Sequence, residues 1–425
     1  MNSKIGFLIA MKSKFSRVKF ACYTTNLTMS IVGNMSPVLF LTFRELYDIS
    51  FSLLGLLVLV NFTTQLTVDL LFSFFSHKFD IPLAVKLTPA IAVVGLLIYS
   101  LAPMLFPENV YLGLVIGTVI FSASSGFAEV LISPVIAAIP AKNPEREMSK
   151  LHSVYAWGVV GVVIFATVFL LVFNTENWQW LSAIFMLVPL SSFLLFLGAE
   201  IPKMEKPEKL SGTLWFLREK GLWLSVLGIF LGGAAECTMA QWASGYLEAA
   251  MGIKKIYGDI FGVAMFGAML GLGRSLYAKF GKNICKVLLL CAIGAVLCYF
   301  VAAISPFAIL GLLACALCGF CTSMLWPGNL VVASDRFASG GVVLYALMAA
   351  GGDLGGSVAP QLVGIVADKA LESAAMIAFA DGLGLTPEQF GMKIGLLIGM
   401  VFPLVAIPVY AYFIKTADKT KLHIQ

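Results

Sequence analysis

Stretches of about 20 apolar residues recur through this chain of 425 residues, and each is long enough to cross a bilayer core of ~30 Å as a helix. A backbone in hydrocarbon must satisfy its own N–H and C=O groups, which leaves only helices and closed barrels. A spanning barrel shows short segments of alternating hydrophobicity, and that pattern is absent from the sequence. A soluble chain of this size carries about a quarter charged residues. Here 12% are charged and 60% apolar, and the mean hydropathy is +0.94. The expected class is an all-α polytopic membrane protein, with the lipid bilayer as its surroundings.

Twelve spans are expected, at about 20–46, 51–76, 83–104, 109–140, 151–173, 178–200, 221–250, 257–280, 284–304, 307–334, 341–367 and 391–414. Residues 368–390 hold an apolar piece too short to span, read as a loop with a surface helix. With the N-terminus in the cytoplasm, 23 of the 28 Lys and Arg fall on the inner side. The other five, Arg44, Lys254, Lys255, Lys369 and Lys393, fall outside. Basic residues gather on cytoplasmic loops, so both termini are expected inside, in a cell membrane. The net charge of +5 is spread over short inner loops, which argues against nucleic acid as a partner. The apolar run Ile5 to Met11 is short and followed by more Lys, so the N-terminus does not read as a cleaved signal.

The longest charged linker, 201–220, divides six spans from six. The expected domains are therefore 1–200, the linker 201–220 and 221–425. The halves are weakly alike: Tyr155-Ala-Trp157-Gly-Val-Val-Gly in one answers Tyr345-Ala-Leu-Met-Ala-Ala-Gly-Gly in the other. Two such bundles with a substrate site near the midplane are an architecture of rocking transporters.

Charged and amide side chains inside the spans carry the functional reading, because they are costly in hydrocarbon and usually face water or a partner. Ser122, Ser125, Glu129 and Ser133 form one stripe on a helix, in a segment with no basic residue from Ile91 to Ala141. Glu129 is the candidate proton carrier, and Glu236, near the middle of the seventh span, is the second. Asn61, Gln65 and Asp69 fall at i, i+4 and i+8 on the second span, a continuous polar face. Asn61 and Gln65 suit a hydroxylated ligand. Asp69 lies closer to the inner surface and suits a structural or gating ion pair, with Arg274 or a group on the eleventh span. Asp353, in the Gly-rich run Gly351–Gly356, is a gate candidate. Gln241, Trp242 and Tyr246 follow Glu236, but a straight helix points Glu236 away from Trp242 and Tyr246. Either that span is broken or only one of these groups faces substrate. Sugars are held by amides and by an aromatic face, which adds Asn34, Asn329 and Trp326 to the candidate contacts.

Several chemistries are excluded. Cys315, Cys318 and Cys321 have a C-x2-C-x2-C spacing, but no fourth ligand lies nearby, so no metal is expected and the cysteines read as small interface residues. No phosphate loop is present. His77, His152 and His423 all lie away from the midplane, which leaves no nucleophile–base or metal cluster for a membrane enzyme. No cofactor is expected.

Beyond these residues there is a resemblance. Two six-span repeats, the charged linker and Gly273-Arg274 with Phe280-Gly281 resemble the major facilitator superfamily. The segment after the second span departs from that family's pattern, reading Ser73-Phe-Phe-Ser-His77-Lys78-Phe-Asp80. Three segments are similar to the fucose–galactose–glucose/proton symporters and their sugar-transporting relatives. They are Gly126-Phe-Ala-Glu129 with Ser133-Pro134, Glu236 with Gln241-Trp242 and Tyr246, and Gly351-Gly-Asp-Leu-Gly-Gly with Pro360, Gly364 and Asp368. Where that group has a membrane aspartate in the first span, this chain has Asn34. The resemblance implies two pseudo-symmetric six-helix bundles and proton-coupled alternating access by a monomer that carries a small polar solute, most simply a sugar. The alternative is a facilitator or exporter of a lipophilic drug or organic ion, which the 33 Phe and 17 Met would suit.

Overall fold

A computed structural model of the protein describes residues 15–75, 78–140, 144–202, 218–337 and 341–422. Among them every regular element is helical. In chain order the main helices are α1 (Ser16–Val38), α2 (Phe40–Tyr47), α3 (Phe51–Phe75), α4 (Ile81–Ser100), α5 (Val110–Ala138), α6 (Pro144–Phe173), α7 (Trp178–Phe185) and α8 (Leu187–Phe196). There follow α9 (Lys220–Ala249), α10 (Met265–Phe280), α11 (Ile284–Ile304), α12 (Ala308–Thr322), α13 (Leu325–Arg336), α14 (Gly341–Glu372), α15 (Ala374–Gly382) and α16 (Pro387–Leu422). Side-chain caps start several of them: Asp80 accepts from Leu83 N, Asn109 from Leu112 N and Asn283 from Lys286 N. Each cap closes an N–H that the first turn leaves open.

Among the described residues ten helical segments are long and apolar enough to cross a membrane, or eleven if α1 and α2 form one span bent by 47°. The expected twelve is thus not met by apolarity alone. The remaining expected span, 341–367, falls on α14, a helix of 32 residues. α14 also runs on to Glu372, so the loop expected at 368–390 begins later, with α15 as its short helix. The expected linker lies outside the described residues over 203–217, as do His77 and His423.

Two prolines mark breaks. Pro37 sits just before the bend between α1 and α2. Pro327 follows the step from α12 to α13, and a proline has no N–H to return to the carbonyl four residues back. Here that carbonyl is Ser323 O, and it accepts instead from Arg274 Nε at 3.1 Å.

The chain divides into two compact units. One comprises Met1–Ser36 and Thr64–Lys209, the other Pro37–Thr63 and Leu210–Gln425. The core of the first gathers Ala21 and Cys22 of α1, Phe72 of α3, Val85 of α4, Leu131 and Val135 of α5, and Phe196 of α8. The second has a core of Leu231 and Ala235 of α9, Leu288 and Ala292 of α11, Leu325 of α13, and Tyr410 and Phe413 of α16.

Residues 37–63 join the second unit through specific bonds. Asp368, at the end of α14, accepts from the backbone N–H of Phe51 (2.9 Å) and of Ser52 (2.6 Å), the open donors at the start of α3. A carboxylate also suits the positive end of a helix dipole. Gln361 Nε2 donates to Ser52 O at 3.1 Å. Arg44 lies over the Phe51 ring and pairs with Glu388 at 3.5 Å.

Lys393, counted among the outer basic residues, is a buried residue of α16. Its ammonium donates to Ser305 O (2.9 Å) and Ala303 O (3.2 Å), the last carbonyls of α11 and its cap. A cation there satisfies acceptors that the helix cannot. Lys393→Met should therefore lower the thermal unfolding midpoint of the purified protein, with a loss of about 2 kcal/mol for the charge-assisted bonds. Lys393→Arg, which keeps donors, should lose less. A Met variant that melts with wild type would show that this end of α11 holds without the lysine.

Candidate functional site

In the first unit the site is built where α3 meets α5. Glu129 is residue 20 of the 29 in α5 and keeps solvent-accessible surface despite its depth in the span. Its Oε2 accepts from Gln65 Nε2 of α3 at 2.5 Å. Asp69, one turn beyond Gln65 on α3, is buried, and its carboxylate approaches that of Glu129 to within 4.8 Å. Like charges at that separation repel, and a proton taken up by either group removes the repulsion.

The approach of the two helices depends on Gly126, one turn before Glu129. A Cβ there would lie 2.8 Å from Gln65 O, 2.9 Å from Val68 Cβ and 3.0 Å from Asp69 Oδ1. Of the expected polar stripe, Ser122 and Ser125 are buried in packing, while Ser133 is half-buried. Asn34 is half-buried and donates to Ser30 O of its own helix at 2.9 Å. Asn61, on the part of α3 that belongs to the second unit, is buried.

In the second unit Glu236 is residue 17 of the 30 in α9. It pairs with Arg274 Nη2 of α10 at 3.3 Å, and the same guanidinium holds Ser323 O. Arg274, an expected partner for Asp69, is thus engaged by another acid. Glu236 Oε2 is buried with no hydrogen-bond partner among the described residues. α9 is continuous, so the alternative of a broken seventh span is overturned. The irregular turn lies just beyond, in the π-helical segment Gly258–Ala264.

The aromatic and amide candidates of this unit are enclosed. Trp242 is fully buried and donates through Nε1 to Pro360 O at 2.9 Å, with its ring 5.1 Å from Phe40 and 6.0 Å from Phe51. Tyr246 is fully buried and donates to Ala302 O. Asn329 is buried and gives its amide N–H groups to Leu325 O (2.5 Å) and Tyr410 Oη (2.8 Å). Gln241 and Asp353 are buried, and Trp326 is half-buried. Trp242, Tyr246 and Asn329 thus bond to neighbouring helices in this structure.

Two clusters escaped the sequence reading. Asp368 was visible only as part of a pattern, because its partners lie more than 300 residues away. On the π-helical segment, buried Asp259 accepts from Ser244 and pairs with Lys255 at 3.5 Å. The i, i+4 spacing of Lys255 and Asp259 is the one signal that pointed there.

The sequence model of the Major Facilitator Superfamily matches residues 21–360. Among solved structures, a bacterial homologue of the human lysosomal transporter Spinster is 15% identical, with 95% of this chain and 97% of that one covered and a TM-score of 0.68. A D-xylose–proton symporter is 16% identical over 92% of this chain and 97% of its own, with a TM-score of 0.68. A nucleoside transporter is 12% identical over 92% and 99%, with a TM-score of 0.69. At these identities the likeness is one of fold. No curated protein sequence matches the chain.

The Gln65–Glu129 contact is testable by a double-mutant cycle on thermal stability, with Gln65→Ala, Glu129→Gln and both together. A coupling energy of about 1 kcal/mol is expected. It should vanish when the cycle is repeated on Gly126→Leu, whose side chain forces α3 away from α5. Equal coupling in both backgrounds would mean that Gly126 does not set the approach.

Proposed function

The chain belongs to the major facilitator superfamily, a family of membrane transporters and not of enzymes, and from that premise we propose that it carries a sugar in symport with protons by alternating access. It is a multi-pass membrane protein that takes a small-molecule substrate. The proposal extends this to a monomer in the cell membrane with both termini cytoplasmic, the halves 1–200 and 221–425 being joined by the linker 201–220.

The observation that carries the reading is the Glu129–Gln65 pair. A carboxylate at that depth in a span that keeps exposed surface is the kind of group that marks an ion path or proton relay. Deprotonated, Glu129 accepts the Gln65 N–H. Protonated, it gains a donor of its own, and its repulsion with Asp69 is relieved. Protonation thus changes the bonding between α3 and α5. An amide beside such a group also offers a donor and an acceptor to ligand hydroxyls, which favours a sugar over a lipophilic cargo.

Glu236 is the second proton-coupling candidate, restrained by Arg274. Asp69 and Asp353 are assigned to gating. Two structural neighbours are named as sugar–proton symporters, one for D-xylose and one for fucose from E. coli, and they support both the solute class and the coupling.

The test is solute-driven proton movement in proteoliposomes, across a panel of sugars, with wild type and Glu129→Gln side by side. One sugar should alkalinise the outer medium with wild type and be taken up faster as the outside is acidified. Glu129→Gln should lose accumulation against a gradient by at least about tenfold, as expected for loss of an essential proton carrier, while still exchanging that sugar across the membrane. If a sugar moves equally in both without protons, the protein is a facilitator and Glu129 is structural. If none moves, the sugar reading falls, and an organic ion or lipophilic drug takes its place.

A further inference from the structure

Six of the eight cysteines lie on α11 and α12, and they differ in exposure: Cys285 of α11 is buried and Cys291 of α11 keeps part of its surface. Cys315 and Cys318 of α12 are buried. Cys298 of α11 and Cys321 of α12 keep part of their surface, and the Cys298 thiol donates to Cys321 Sγ at 3.9 Å. The helices are close at this point because α11 carries Gly294 one turn before Cys298. A Cβ there would stand 2.7 Å from Cys321 Sγ. The glycine is therefore a seat for the second thiol. Around the pair, Leu297, Val301, Leu317 and Phe320 are exposed apolar side chains on spanning helices, a surface that lipid tails cover.

We propose that Cys298 and Cys321 are a vicinal dithiol within the membrane that an apolar hydroperoxide, such as an oxidised lipid, converts to a disulfide. One thiol sulfur attacks the terminal peroxide oxygen. The O–O bond breaks, the sulfur becomes a sulfenic acid, and the hydroperoxide leaves as its alcohol. The second thiol then attacks the sulfenic sulfur, the S–S bond forms and water leaves. The two thiols lose two electrons and two protons, and the hydroperoxide is reduced by the same two electrons.

The sulfurs need to close from 3.9 Å to about 2.0 Å, within reach of side-chain rotation and a small shift of two neighbouring helices. The bond would tie α11 to the end of α12. Two residues further on is Ser323, whose carbonyl seats Arg274 beside Glu236. Cys285, Cys315 and Cys318 are enclosed, and Cys22 and Cys237 lie on other helices. Cys291 of α11 keeps part of its surface, and a Cys291–Cys321 bond is the rival that the peptide map tells apart.

The experiment treats the full chain in liposomes with cumene hydroperoxide, then denatures it and alkylates with N-ethylmaleimide. Wild type should fall from eight alkylated thiols to six. It should also yield a peptide pair joined through Cys298 and Cys321 that is lighter by about 2 Da than the sum of its parts, the two hydrogens lost, and that reductant separates. Cys298→Ser should retain all seven of its thiols outside any disulfide. Eight alkylated thiols after treatment, or a bond between any other pair, overturns the assignment. The peptide map of wild type decides this even if a variant folds poorly. None of these readouts depends on sugar transport or on Glu129.

Discussion

Hydrocarbon offers an exposed backbone group nothing to bond to, and this one constraint organises the molecule. Within a helix the ladder answers it. At helix ends and at prolines the ladder is open, and there this protein brings in side chains from elsewhere. Asp368 closes the N–H groups that start α3. Lys393 closes the carbonyls that end α11. Pro327 leaves Ser323 O open, and Arg274 takes it. The polar groups inside this membrane protein are thus largely parts of its backbone accounting.

That accounting explains where several buried aromatic and amide side chains place their polar ends. Trp242, Tyr246, Tyr299 and Tyr410 each turn a polar tip onto a carbonyl of another helix, those of Pro360, Ala302, Ala235 and Gly228. Asn329 bridges α13 to α16. An aromatic or amide in a bundle has a large apolar body to pack and one polar end to satisfy. The nearest available acceptor in a lipid-bound helix bundle is a neighbouring backbone. Glu129 differs in accepting from a side chain, Gln65, while keeping exposed surface in the middle of its span. A group held that way is able to change its protonation without dismantling a helix.

Composition and apolar runs were enough to read an all-α membrane protein, and they located most spans within a few residues. The reason is local: insertion depends on the apolarity of each segment, and each helix bonds within itself. α14 was located at 341–367 as well, although glycine, Asp353 and Gln361 interrupt its apolar run, and its continuation to Glu372 was not foreseen. Lys393 was legible as a charge at a span's end, but its burial against the carbonyls of Ala303 and Ser305 depends on a helix far away in the chain.

The candidate site was legible in part. The i, i+4 spacing of Asn61, Gln65 and Asp69 put them on one face of α3, and the lone carboxylate of α5 singled out Glu129. That Gln65 meets Glu129, that Gly126 sets their distance, and that Glu236 belongs to Arg274 depend on which helices are neighbours. Sequence alone determined the membrane, the helices and the residues too costly to place there without purpose, because transfer free energy and backbone bonding act segment by segment. Only the tertiary structure decided which of those residues face one another and which face water, because that depends on helix packing between positions far apart in the chain.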